Sequence, residues 1–174
     1  MTYTLIAHTE LTSSQANITF SSIPATFTDL VLVTSSRRDR SDTTGAMAIR
    51  FNGSTSNYST RALGGNGSSS YSYTVSYLQA GEMGNASDTS NTFTSNQTYI
   101  ANYRVAANKS VSVDAVTENN GTTAFQVLAA GLWSDTSAIT SLSIFPEGGN
   151  NFVSGSSATL FGITAGSSGG VVVS

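Results

Sequence analysis

The stretch "SVSVDAVTENNGTTAFQVLAAGLW", residues 110–133, decides the fold class. In its first half Val111, Val113 and Ala115 alternate with Ser110, Ser112 and Asp114. Alternation with period two puts the apolar set on one face of a strand and the polar set on the other. Asn120-Gly121 then marks a tight hairpin, because both residues accept positive φ at little cost. The second half, 123–133, is a further apolar run that ends at Trp133. Two antiparallel strands joined by a short turn are expected here.

The same pattern extends in both directions. Short β-branched and apolar runs bounded by Gly, Asn or Ser predict strands near 3–8, 16–20, 28–35, 46–51, 71–78, 92–104, 138–145 and 157–164. No long window keeps the i, i+3, i+4 apolar stripe of a helix. About ten strands with turn signals between them predict an all-β chain, an antiparallel β-sandwich of jelly-roll type. Two Gly/Asn/Ser stretches interrupt the pattern: 52–70, expected as an exposed excursion, and 81–91. The expected organisation is one domain over 1–164, followed by a flexible Gly/Ser tail over 165–174. That tail ends in Val171, Val172 and Val173, which form either a frayed terminus or a strand that adds to a neighbouring subunit.

Composition narrows the function. Charged residues are 10% of the 174, against about 25% in an average soluble domain. Ser and Thr supply nearly a third of the chain instead. The net charge of −3 and the single lysine, Lys109, give no basic footprint for nucleic acid. Zero cysteines exclude a disulfide framework and a thiolate metal site. No apolar stretch reaches the ~18 residues of a membrane-spanning helix, so no membrane partner is expected. The start "MTYTLIAHTELT" has neither the basic nor the long apolar part of a signal peptide.

Catalytic chemistry finds few residues. His8 is the only histidine and falls inside a predicted strand, without the Gly-x-Ser-x-Gly turn of a triad hydrolase. The carboxylates Asp42, Glu82, Asp88, Glu118, Asp135 and Glu147 fall at predicted turns, where carboxylates usually only solvate. No cofactor is expected. Tyr58, Tyr71 and Tyr73 lie in or beside the 52–70 stretch and are candidates for stacking on sugar rings. Tyr71, Tyr73 and Tyr77 equally suit one inward or interfacial face of a strand. Trp133 is expected in core or interface packing. The densest charge is "SRRDRSD", 36–42, where Arg37, Arg38 and Arg40 alternate with Asp39 and Asp42. Arginine forks on carboxylates hold surfaces together, so this segment reads as a salt-bridged loop or as part of a subunit interface.

Three stretches, in order, resemble a type of small structural protein of tailed bacteriophages, common among phages of aquatic bacteria, including cyanobacteria. They are "NITFSSIPATFTDLVLVTSSRRDRSD" (17–42), "AIRFNGSTSNYS" (48–59) and "VDAVTENNGTTAFQVLAAGLWSDTSAITSLSIFPEGGNNFVSGSSATLFGI" (113–163). The recurring motifs, I-P-x-T-F/Y-T-D-L at 23–30 and S-A-T-L-F/Y-G-I at 157–163, are structural and carry no catalytic signature. The resemblance implies a non-enzymatic virion component, assembled in the host cytoplasm. With no fibre shaft or coiled coil before the domain, a capsid decoration (cement) protein is expected. Its partners would be the major capsid protein or other virion proteins, and it would itself be a homotrimer. The alternative is a tail-fibre or receptor-binding module that recognises host surface glycan through Tyr58, Tyr71 and Tyr73.

Overall fold

The computed structural model describes residues 2–41, 45–118 and 124–165. They form twelve strands and no helix: β1 (Thr2–Glu10), β2 (Ile18–Phe20), β3 (Asp29–Ser36), β4 (Gly45–Phe51), β5 (Tyr58–Gly65), β6 (Ser70–Val75), β7 (Leu78–Met83), β8 (Thr94–Ile100), β9 (Lys109–Thr117), β10 (Phe125–Trp133), β11 (Leu142–Pro146) and β12 (Ser157–Thr164). Asn120-Gly121 and Val171, Val172 and Val173 lie outside the described residues. β9 and β10 do pair antiparallel, from Phe125 opposite Thr117 to Trp133 opposite Lys109.

The strands make two antiparallel sheets, one of eight strands in the order β1-β12-β3-β8-β9-β10-β5-β6 and one of four, β2-β11-β4-β7. The all-β sandwich expected from sequence is what the structure shows. Between the sheets sits one apolar core that includes Leu30, Leu32, Met47, Ile49, Phe51, Leu78, Val111, Val113, Trp133, Ile144 and Leu160. Alternation places these residues. In β9, for example, Lys109, Val111, Val113, Ala115 and Thr117 are buried and the residues between them are exposed.

Two strands lie where loops were expected. β5 runs through the 52–70 stretch, and β7 enters the 81–91 stretch. β5 carries little apolar surface of its own. It is held from both sides, with Ala62 opposite Ala129 on β10 and Tyr73 on β6. Its Gly64 is needed, because a Cβ there would stand 2.4 Å from the Tyr71 ring that lies across it. β7 shows no alternation because all six of its residues are buried. At the other end of the expected strand 92–104, β8 stops at Ile100, and Asn102 takes a φ of 50° in the turn that follows.

β7 is an edge strand enclosed by the protein. Its outer backbone groups cannot reach water and need partners inside. Side chains of the opposite sheet supply them. On β8, Asn96 donates to the Glu82 carbonyl at 3.0 Å and accepts from the Glu82 amide at 3.2 Å. Thr94 and Thr98 donate to the carbonyls of Glu82 and Ala80, each at 3.1 Å. On β5, Thr60 donates to the Tyr77 carbonyl at 2.8 Å and accepts from the Gln79 amide at 3.1 Å. Gly81 lets Asn96 in: its φ is +146°, and a Cβ would fall 2.4 Å from the Asn96 carboxamide. Replacing Asn96 by Leu leaves the Glu82 amide buried and unpaired and the Glu82 carbonyl with Thr94 as its remaining side-chain donor. The expected cost is about 1–3 kcal/mol, read as a lower denaturant midpoint. A midpoint unchanged from wild type would refute this account of the β7 edge.

Candidate functional site

Residues singled out from sequence fall in the 36–40 segment, in the core, on the outer face of the large sheet, and in a cleft between the edges β6 and β7.

Arg37 and Arg38 are buried. The Arg37 guanidinium donates to the carbonyls of Thr89 (2.8 Å), Thr92 (3.1 Å), Asp88 (3.0 Å) and Ala86 (3.3 Å). It grips the carbonyls of the 86–92 loop rather than a carboxylate. Arg38 Nε donates to Asn85 Oδ1 at 2.6 Å, and its guanidinium fills the space where a Gly45 side chain would be. Asp39 accepts from the Asn151 backbone amide at 3.0 Å. Arg40 is exposed and lies beside Gly148. The segment thus ties three loops of its own chain together. Lys109 is used in the same way: its ammonium, also buried, donates to the carbonyls of Val105, at 2.8 Å, and Ala107.

Trp133 is in the core, 5.5 Å from Phe51 and stacked on Tyr58 at 6.1 Å. Tyr58 accepts the Phe51 amide hydrogen at 2.9 Å. It stands opposite Trp133 on β5, six positions and so roughly 20 Å along the strand from the Gly64 that faces Tyr71. Tyr58 is therefore not grouped with Tyr71 and Tyr73. His8, on β1, hydrogen-bonds Thr159 at 2.8 Å on the exposed face. Among the described residues no group of three His, Cys, Asp or Glu side chains could hold a metal ion.

Among the described residues no further sheet packs on the outward face of the eight-stranded sheet. The register runs Leu5–Phe161–Val31–Tyr99–Ser112–Ala130–Arg61–Thr74 straight across all eight strands. The next outward row is His8–Thr159–Val33–Gln97–Asp114–Leu128–Leu63–Ser72. Leu63, Leu5, Tyr3 and Leu128 are 65%, 59%, 57% and 54% exposed, with Val116 and Val33 behind them. Across β5, β10 and β9 the face forms a trough of about 1000 Å³ with Leu63, Leu128, Ala130 and Tyr99 on its walls. Tyr99 donates to Asp29 at 2.7 Å, and this bond to a carboxylate, with burial second, pushes its hydroxyl up to about 12.

The cleft is smaller, about 280 Å³, and opens between the two sheets. Tyr71 and Tyr73 point inward from β6, with ring planes 19° apart and centroids 6.1 Å apart. Tyr77, Phe125, Gly45 and Ala46 line it, and so does Glu82. Tyr73 donates to Gln79 Oε1 at 2.9 Å and reaches Glu82 Oε1 at 3.2 Å. Gln79 Nε2 donates to the same Glu82 oxygen at 2.7 Å. Burial raises the Glu82 carboxyl above its ordinary 4.5, and the bonds from Tyr73 and Gln79 and the field of Arg38 only partly offset this. Burial, then the charges of Glu147 and Glu82, pushes Tyr77 up to about 12.

Sequence reasoning placed Glu82 at a turn, whereas it is buried in β7. It also passed over Gln79, Asn96 and Asn85, all 2% exposed or less. The only available signal was "LQAGEM" itself, a short run with polar residues and no period. Comparison with protein-family models, with curated proteins and with solved structures finds no match.

Two outcomes follow. Arg37→Ala strips the 86–92 loop carbonyls of their shared donor, so stability should fall by at least about 2 kcal/mol. Amide exchange should quicken in that loop, and an unprotected loop in the wild type would contradict the clamp. Glu82 has a folded pKa above its unfolded one. The stability it contributes is therefore full below the ordinary carboxylate value and lost as pH rises through the raised value. Glu82→Gln should remove this slope, so the stability difference between variant and wild type should shift toward the variant with rising pH in that window. A pH-independent difference would contradict the assignment.

Proposed function

We propose that this is a non-enzymatic virion protein of a tailed phage, a capsid decoration protein that works as a trimer and binds coat subunits through the outer face of its eight-stranded sheet. One observation carries the reading: six large apolar side chains, Tyr3, Leu5, Val33, Leu63, Val116 and Leu128, stand exposed on that single face. A single face that exposes this many large apolar side chains reads as an interaction surface. Eight strands at ~4.8 Å spacing make the face about 34 Å wide. That is enough for the ~800 Å² per partner of a standard interface. Over two cross-sheet rows its only fixed charges are Arg61 and Asp114, so little ionic desolvation opposes docking. The resemblance of the sequence to small structural proteins of tailed phages supplies the partner.

Cosedimentation of the purified chain with undecorated phage heads tests the proposal. The wild-type protein should pellet with the particles. Leu63→Glu combined with Leu128→Glu should weaken binding at least tenfold and leave the circular dichroism spectrum unchanged. A chain that stays in the supernatant, or a double variant that binds as well as wild type, would overturn it.

A further inference from the structure

The cleft between β6 and β7 lies outside the outer face and has no part in the contacts proposed for it. Its shape and chemistry point to a ligand of its own.

Tyr71 and Tyr73 provide an aromatic pair on one face of β6, since side chains two apart on a strand share a face, and their rings stack with planes 19° and centroids 6.1 Å apart. The pair is held in place. Tyr71 lies across the bare backbone of Gly64, and the Tyr73 hydroxyl is pinned by Gln79 and Glu82. Gly45 and the small side chain of Ala46 also line the cleft. Both hydrogen bonds to the Glu82 carboxylate fall on Oε1. Among the described residues none falls on Oε2.

Charge selects the ligand class. Glu82 disfavours an anion. The Arg38 guanidinium packs against Gly45, which lines the cleft, and so disfavours a cation. A neutral ligand meets neither penalty. It should offer an apolar face for the two rings and hydroxyl donors for the carboxylate. A pyranose ring has both, with axial C–H groups on one face and vicinal hydroxyls at the rim. The volume of about 280 Å³ is just under the usual range for drug-sized ligands, about 300–1,000 Å³, and suits one ring rather than a long segment.

We propose that this cleft binds a single neutral hexose unit of a polysaccharide, packed against the Tyr71–Tyr73 pair, with two adjacent hydroxyls directed at Glu82 Oε2 and the Tyr77 hydroxyl. Tyr58 takes no part. The proposal does not depend on the decoration reading and would hold for a protein placed elsewhere.

Saturation-transfer NMR and titration on the full chain provide the test. The probes are methyl glucoside, galactoside and mannoside in both anomers, methyl N-acetylglucosaminide, and choline and glucuronate as charged comparisons. At least one neutral glycoside should bind in the millimolar range or tighter, with the strongest saturation on one ring face, and the charged probes should not. Tyr71→Ala should weaken that binding at least tenfold. Tyr71 is half-buried on an edge strand, so the variant should stay folded by circular dichroism. If it does not, Glu82→Gln, which keeps the shape, should show at least a fivefold loss. Leu63→Glu, on the opposite face of the sheet, should bind as wild type. The proposal is overturned if no neutral glycoside binds, if only choline or glucuronate binds, or if the cleft variants bind undiminished.

Discussion

An edge strand buried inside a protein has to find hydrogen-bond partners without a neighbouring strand, and β7 is such an edge. Its six residues are enclosed, yet one of its sides has no partner in the four-stranded sheet. Thr94, Asn96 and Thr98 on β8 and Thr60 on β5 substitute for the missing strand. Buried polar groups need such partners, at a cost of about 1–3 kcal/mol for each one left without. The requirement fixes how the sheets sit on each other. Apolar packing is tolerant of small sliding, whereas a ladder of side chain to backbone bonds has one register. The cleft follows from this, because β7 brings Gln79 and Glu82 under the tyrosines of β6.

A second regularity concerns charge. A buried cation is costly unless paired. This chain has few carboxylates, and backbone carbonyls hold two of its buried cations, Arg37 and Lys109. Arg37 takes four carbonyls of one loop, and Lys109 takes two of another. Loop carbonyls carry no net charge, so such a clamp avoids burying a second ion. It also explains why arginines gathered beside a turn are an anchor of the chain's own loops.

The sequence shows most clearly the strands that bury one face. β9 and β12 alternate, and their apolar sets lie where alternation puts them. β5 and β7 were hidden for different reasons. In β5, Ser59, Arg61 and Gly64 are spread through a hydroxyl-rich run, and its place depends on β10 and β6, which are distant in sequence. In β7 both faces are covered, and a six-residue strand buried on both sides has no period to detect. Glu82 read as a solvated turn acid because nothing local tells a carboxylate that its amide will meet Asn96. The tyrosines divide along the same line. Tyr71 and Tyr73 share a strand face, which spacing reveals, while Tyr58 is drawn into the core by Trp133, 75 positions further along the chain.

The strand order also sets a timetable for the growing chain. β1 bonds only to β12, and β12 fills the gap between β1 and β3. His8 and its partner Thr159 are 151 residues apart. At roughly 5–20 residues per second, β1 leaves the ribosome about 8–30 s before anything exists to cover its hydrogen-bonding edge. For that interval the first strand is an open template, and the large sheet closes only when β12 slides into its slot.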